Sequence, residues 1–168
     1  MELHIGQGIG DFKFGMREAD VLSTAGEPPI IREEAEMPNR RYLYFNDLKL
    51  KISIFKDYGN IVGYIESTNS AITYNGHQII DSKIGDFLVA ADLRYEWVLC
   101  EYGNFNVYSL DDVWLTFNSE FGRIRWIEHG APINDQDEYV FDIIEGKTQC
   151  NLFLKKKFKQ PEITLKDC

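Results

Sequence analysis

Apolar and polar positions alternate most cleanly where Leu48, Leu50, Ile52 and Ile54 are separated by Lys49, Lys51 and Ser53. A period of two predicts a strand with one buried face. RRYLYF precedes it across Asn46-Asp47, and IVGYIE follows across Asp57-Tyr58-Gly59-Asn60. The same signal returns in NFNVYS, VWLTF and RIRWIE, separated by Asp111-Asp112 and by Glu120-Phe121-Gly122. A segment of helical spacing stands before each set. In the first, Met16, Ala19, Val21, Leu22 and Ala25 form a stripe, and Glu18 and Asp20 occupy the turns where the macrodipole favours anions. Gly26 ends this helix and Pro28-Pro29 forbids its continuation. In the second, LVAADLRYEW, the stripe is Phe87, Val89, Ala90 and Leu93, with Ser82 as N-cap.

Ile9-Gly10-Asp11-Phe12 recurs as Ile84-Gly85-Asp86-Phe87, and the closing pieces Tyr64-Ile65-Glu66 and Trp126-Ile127-Glu128 correspond. The order helix, strand, strand, strand therefore occurs twice. It predicts a single domain over 1–168 with internal repeats near 9–67 and 79–130. About a dozen extra residues of the first half fall in a polar loop over Ile30–Arg41. YVFDII and NLFLKKKF flank Glu145-Gly146-Lys147-Thr148 and predict a C-terminal β-hairpin within 138–166, with a last extended piece after Pro161. Whether that hairpin extends the sheet or covers its open side stays open. The expected class is α+β: two helix–β-meander repeats forming an antiparallel sheet with helices on one face, plus the hairpin.

Composition narrows the function. Of 168 residues, 44% are hydrophobic and 14% aromatic, enough for a sizeable core. Lys plus Arg number 18 against 27 Asp plus Glu, a formal net charge of −9. That disfavours nucleic acid, which needs a basic face, and suits a basic protein partner. No apolar run approaches the roughly 20 residues of a membrane span. Cys100, Cys150 and Cys168 are odd in number and contain no CxxC pair, so free thiols in a reducing cytoplasm are expected. The start, MELHIGQGIG, lacks the cationic and apolar regions of a secretory signal. His4, His77 and His129 have no metal-ligand spacing. Nucleophile-elbow, Walker and HExxH patterns are missing, and the glycines at 6, 8 and 10 lack a dinucleotide-loop context. Asp111 and Asp112 read as turn residues, and Cys100 as an inert core thiol. No catalytic residue, metal or cofactor is expected.

Phe14-Gly15-Met16, the acidic helix, Gly26-Glu27-Pro28 and strands near 42–66 together resemble the helix and β-meander repeat of the β-lactamase inhibitory protein-like fold. The second copy, near 84–128, lacks the Gly-Met and Gly-Glu-Pro marks. The resemblance implies helices on one face of a continuous sheet and a bare face that grips a partner. With no export signal and no cysteine pair inside a repeat, it is similar to small bacterial toxin-immunity proteins rather than to secreted inhibitors.

Alternation assigns the side chains of that bare face. Leu43, Phe45, Phe105, Val107, Val113, Leu115, Phe117, Ile124 and Trp126 are expected inward. Tyr42, Tyr44, Lys49, Lys51, Tyr108, Trp114, Arg123 and Arg125 are expected outward as the partner-binding set, rich in residue types of binding hot spots. Glu33, Glu34, Glu36, Asp135, Asp137 and Glu138 form an alternative acidic site for a basic partner. The expected function is a non-catalytic, cytoplasmic immunity protein that occludes a toxin domain. The alternatives are a structural or assembly adaptor using the same face, and a small hydrolase with an unrecognised site.

Overall fold

The computed structural model describes residues 1–93, 95–134, 136, 138–141 and 162–165. A three-stranded ribbon opens the chain: β1 (Leu3–His4), β2 (Gly8–Ile9) and β3 (Phe12–Lys13). Helix α1 (Glu18–Ala25) leads to β4 (Ile30–Arg32), β5 (Arg40–Phe45), β6 (Leu50–Phe55) and β7 (Ile61–Ser67). The small pair β8 (Thr73–Tyr74) and β9 (His77–Gln78) precedes α2 (Ile84–Ala90). Then come β10 (Glu96–Tyr102), β11 (Phe105–Leu110), β12 (Leu115–Glu120) and β13 (Arg123–Gly130), and finally β14 (Glu162–Leu165).

The main sheet has nine strands in the order β14-β10-β11-β12-β13-β7-β6-β5-β4. Every pairing is antiparallel except β10 with β14, which is parallel. This corrects the expected α+β class of repeats with helices over one face. The chain is mostly β. Helices of eight and seven residues are about 12 Å and 10 Å long, whereas nine strands span roughly 40 Å. Two short helices cannot cover such a sheet, so the ribbon β1–β3 and the pair β8–β9 share the task. The middle of the expected C-terminal hairpin, 142–161, lies outside the described residues.

The core lies between the sheet's inner face and this composite cover. Phe12 of β3 stacks near Phe45 of β5 (6.2 Å between ring centres), and Phe87 of α2 meets Phe117 of β12 edge-on (5.5 Å). Trp97 of β10 stacks on the same phenyl ring (5.2 Å). Glu18 of α1 accepts two hydrogen bonds from Arg41 of β5, each 3.0 Å. His129 is fully buried on the inner face, accepts the Gly6 N–H at Nε2 (2.9 Å) and meets Phe14 edge-on. It pins the opening ribbon to the sheet.

Several local expectations are corrected. Ser82 does not cap α2; its hydroxyl donates to the Gln78 carbonyl. Val89 and Ala90 are exposed, and Ile84 and Leu88 are buried beside Phe87. Leu22 of α1 is exposed too. The second helix stops early because Asp92 takes φ 55° and the Leu93 N–H donates back to the Leu88 carbonyl. Residues 96–102, five of which lie beyond the second helical stretch, are free to form β10. The loop expected over Ile30–Arg41 begins with β4, which pairs with β5. Cys100 is half-buried and disulfide-bonded, not a free core thiol.

Burial holds the His129 imidazole neutral, with its pKa lowered from 6.5 to about 3. The unfolded chain binds a proton near 6.5 and the folded one does not until about 3, so stability is full above 6.5 and falls as the pH drops through that window. Urea unfolding should therefore show a loss of about 1.4 kcal/mol per pH unit there from this residue. The His129→Leu variant should lack that increment, and identical pH slopes in the two proteins would refute the assignment.

Candidate binding face

The register places one residue per strand in a row across the outer face. Tyr44, Lys51, Glu66, Glu128 and Thr116 are successive partners on β5, β6, β7, β13 and β12. Glu66 and Glu128 stand directly opposite each other where β7 meets β13. Like charges so placed destabilise a sheet, and each carboxylate is held in a different way. Lys51 Nζ lies 3.1 Å from Glu66 Oε2 and over the rings of Tyr42 and Tyr44, 5.2 and 5.9 Å from their centres. Glu128 is held by neutral donors: Tyr64 Oη to Oε2 at 2.6 Å, and Trp126 Nε1 and Asn118 Nδ2 to Oε1 at 2.9 and 3.0 Å.

The electrostatics follow from these contacts. Burial pulls the Lys51 ammonium down, but the hydrogen bond and charge of Glu66, with the two phenols, outweigh it and hold its pKa above the usual value. Burial and the hydrogen bond to Glu128 push the Tyr64 phenol far above its ordinary value, so it stays a donor. Among the described residues no cation pairs with Glu128, and no group of three His, Cys, Asp or Glu is placed to hold a metal. A fixed carboxylate with a lone pair to spare, beside Tyr64 and Trp126, is suited to an incoming guanidinium or ammonium.

One end of the outer face is closed by the protein itself. The segment after β13 doubles back through the Ile133–Tyr139 bridge. Tyr139 then meets Phe55, Tyr58 and Trp114 at 5.0, 5.5 and 6.1 Å, and Phe141 joins them. Two glycines make room. An ideal Cβ on Gly63 would sit 2.3 Å from the Phe55 ring, and one on Gly130 2.2 Å from the Trp114 ring.

The structure brings only part of the expected partner-binding set together. Tyr42, Tyr44 and Lys51 share the outer face, although Tyr42 is buried, its hydroxyl donating to Met37 Sδ. Lys49 lies in the β5–β6 turn at φ 50° and is not on the face. Tyr108 points inward, because it pairs with Phe117 and shares its parity with the buried Leu110. Phe105 and Val107 accordingly point outward. Trp114 caps a 3-10 turn at φ 43° and lies over Gly130, half-covered by Tyr139. Arg125 is the extra residue of a β-bulge, ion-paired with Asp81 (2.6 Å), and Arg123 donates to the Asp81 carbonyl. The bulge turns Trp126 outward, where it stacks on Phe105 (5.3 Å), correcting its inward assignment.

The acidic alternative does not form one site. Glu33 is engaged by Arg41 and Lys56, and hydrogen bonds from both hold its carboxyl below its usual pKa. Glu34 and Glu36 are exposed. Glu138 closes a local turn with Asn134, and Asp135 and Asp137 lie outside the described residues. Glu66, Glu128, Tyr64, Trp126 and Asn118 were missed by the sequence reading. The signal was present in Tyr64-Ile65-Glu66 and Trp126-Ile127-Glu128, where an inward isoleucine sends both neighbours outward.

No family model matches the chain, and no curated protein matches it. Among solved structures it is similar to an extracellular protein containing a SCP domain from Bacillus anthracis str. Ames, at a TM-score of 0.48 and 12% identity. The match covers 69% of this chain and 43% of that one, a likeness too slight to carry fold or function.

Gly130→Ala should force Trp114 from its seat and destabilise the protein by about 1–3 kcal/mol in urea unfolding, with altered tryptophan fluorescence. Gly85→Ala is the control: nothing lies within 4 Å of its ideal Cβ, so stability should hold or rise slightly. Equal effects of the two would remove the close-approach argument.

Proposed function

We propose that this chain is a protein-binding module that grips a basic partner through the outer face of its sheet. One observation carries the reading: Glu66 and Glu128 face each other on adjacent strands, an arrangement that lowers stability and yet is built with four fixed partners. Such a feature is intelligible as a seat for a cationic group. Tyr44, Trp126 and Phe105 supply ring faces for its stem, and the net charge of −9 steers a basic surface toward it. In the form implied by the resemblance to immunity proteins, the partner is a toxin domain and the effect is occlusion.

The place of action is the second part of the proposal. No helix among the described residues is long and apolar enough to cross a membrane. The disulfide at Cys100 favours an oxidising compartment over the cytoplasm that the cysteine count suggested. Alkylation of the protein from its native host, without reductant, should leave Cys100 unmodified in the mass spectrum. A modified Cys100 returns the chain to a reducing compartment.

The partner captured by the tagged protein supplies the binding assay. Glu128→Gln and Tyr44→Ala should each weaken its affinity by about 2 kcal/mol with little change in thermal midpoint. Unchanged affinity in both variants rejects the face. A captured toxin that stays active while bound rejects occlusion alone.

A further inference from the structure

The main sheet ends in β14 on one flank and in β4 on the other. On one, β14 covers β10 over Glu96–Leu99. On the other, among the described residues β4 pairs with β5 alone, so alternate residues of Ile30–Arg32 turn their N–H and C=O groups outward. Ile30 and Ile31 are 49% and 54% exposed. Successive side chains of a strand point to opposite faces, so an added strand would find one isoleucine on each. Pro28-Pro29 holds the approach extended and offers no N–H, which sets Ile30 as the first residue able to donate.

The surroundings of β4 select charge. Glu33 is already occupied by Arg41 and Lys56. Glu34 and Glu36, in the same loop, are exposed and make no ion pair among the described residues. Glu27 lies just before the prolines. Antiparallel self-pairing about Ile31 would bring the acidic loop of each copy toward Glu27 of the other, and each copy carries −9. Charge therefore disfavours a second copy and admits a basic strand.

We infer that the β4 edge receives an extended basic segment of a partner protein as an additional strand, with its lysines or arginines meeting Glu34 and Glu36. Ile30 is the cross-strand partner of Tyr44, so this edge is continuous with the outer face. The inference deepens the protein-binding reading by naming a second element of the partner. It does not involve Glu128, so it can fail while the face reading stands.

Capped peptides of alternating lysine and valine, and of alternating glutamate and valine, test it. In an NMR titration the lysine peptide should shift the amides of Ile30–Arg32 and of β5 saturably. At low salt it should bind about ten-fold tighter than the glutamate peptide, with the preference shrinking as salt is added. The double variant Glu34→Lys, Glu36→Lys should invert the preference without moving the urea midpoint. Equal affinity of the two peptides, shifts confined to other strands, or no saturable binding would overturn the inference. So would a concentration-dependent dimer sealed through β4, which would give the edge to a second copy.

Discussion

The pairing of β7 with β13 is the constraint on which the rest of the molecule depends. Four residue pairs, Ile127–Ser67, Glu128–Glu66, His129–Ile65 and Gly130–Tyr64, join two meanders into one sheet. Strand side chains alternate between faces, so this register sets both sides at once. It puts Ile65 and His129 in the core, and Glu66 and Glu128 outside. A slip of one residue in either strand would bury its carboxylate and expel Ile65 or the neutral imidazole of His129, which is why the register is strongly specified. The opening ribbon depends on the same seam, since the Gly6 N–H donates to His129.

The seam also explains why the outer face is divided. Gly130 and Gly63 lie at one end of it, and their missing side chains let Trp114 and Phe55 lie flat on the sheet. Tyr139 and Phe141 build on those rings and make a small second core. The other end keeps its polar row, in which Lys51 answers Glu66 and neutral donors answer Glu128. One face thus contributes to stability at one end and, in the function proposed for it, serves recognition at the other.

The sequence made some of this legible. Alternation over Leu50–Ile54, the stop at Gly26-Glu27-Pro28 and the turn at Phe121-Gly122 are local signals, and each matches the structure. The helix and strand inventory was less legible because β4 and β10 lack clean alternation. Ile30-Ile31-Arg32 looks like loop, and Trp97-Val98-Leu99 is apolar throughout, as suits a strand flanked on both sides. The facing of β11 and β13 failed for a different reason. A β-bulge at Arg125 inserts one residue and reverses the parity beyond it, and no sequence period announces such an insertion. Tyr108 was read as a surface aromatic, yet it shares parity with Leu110 and fills the space beside Phe117. The register of the seam was not foreseen either, because it joins segments sixty or more positions apart.

The sheet ends in two margins, the parallel β14 and the antiparallel β4. Stacking of copies edge to edge into a fibre requires a vacant margin at both ends of every unit. Here both margins are short, three residues in β4 and four in β14, and each offers a neighbour few hydrogen bonds. The brevity of its borders therefore limits edge-to-edge growth, so the molecule can carry exposed isoleucines on one of them with little tendency to template a polymer.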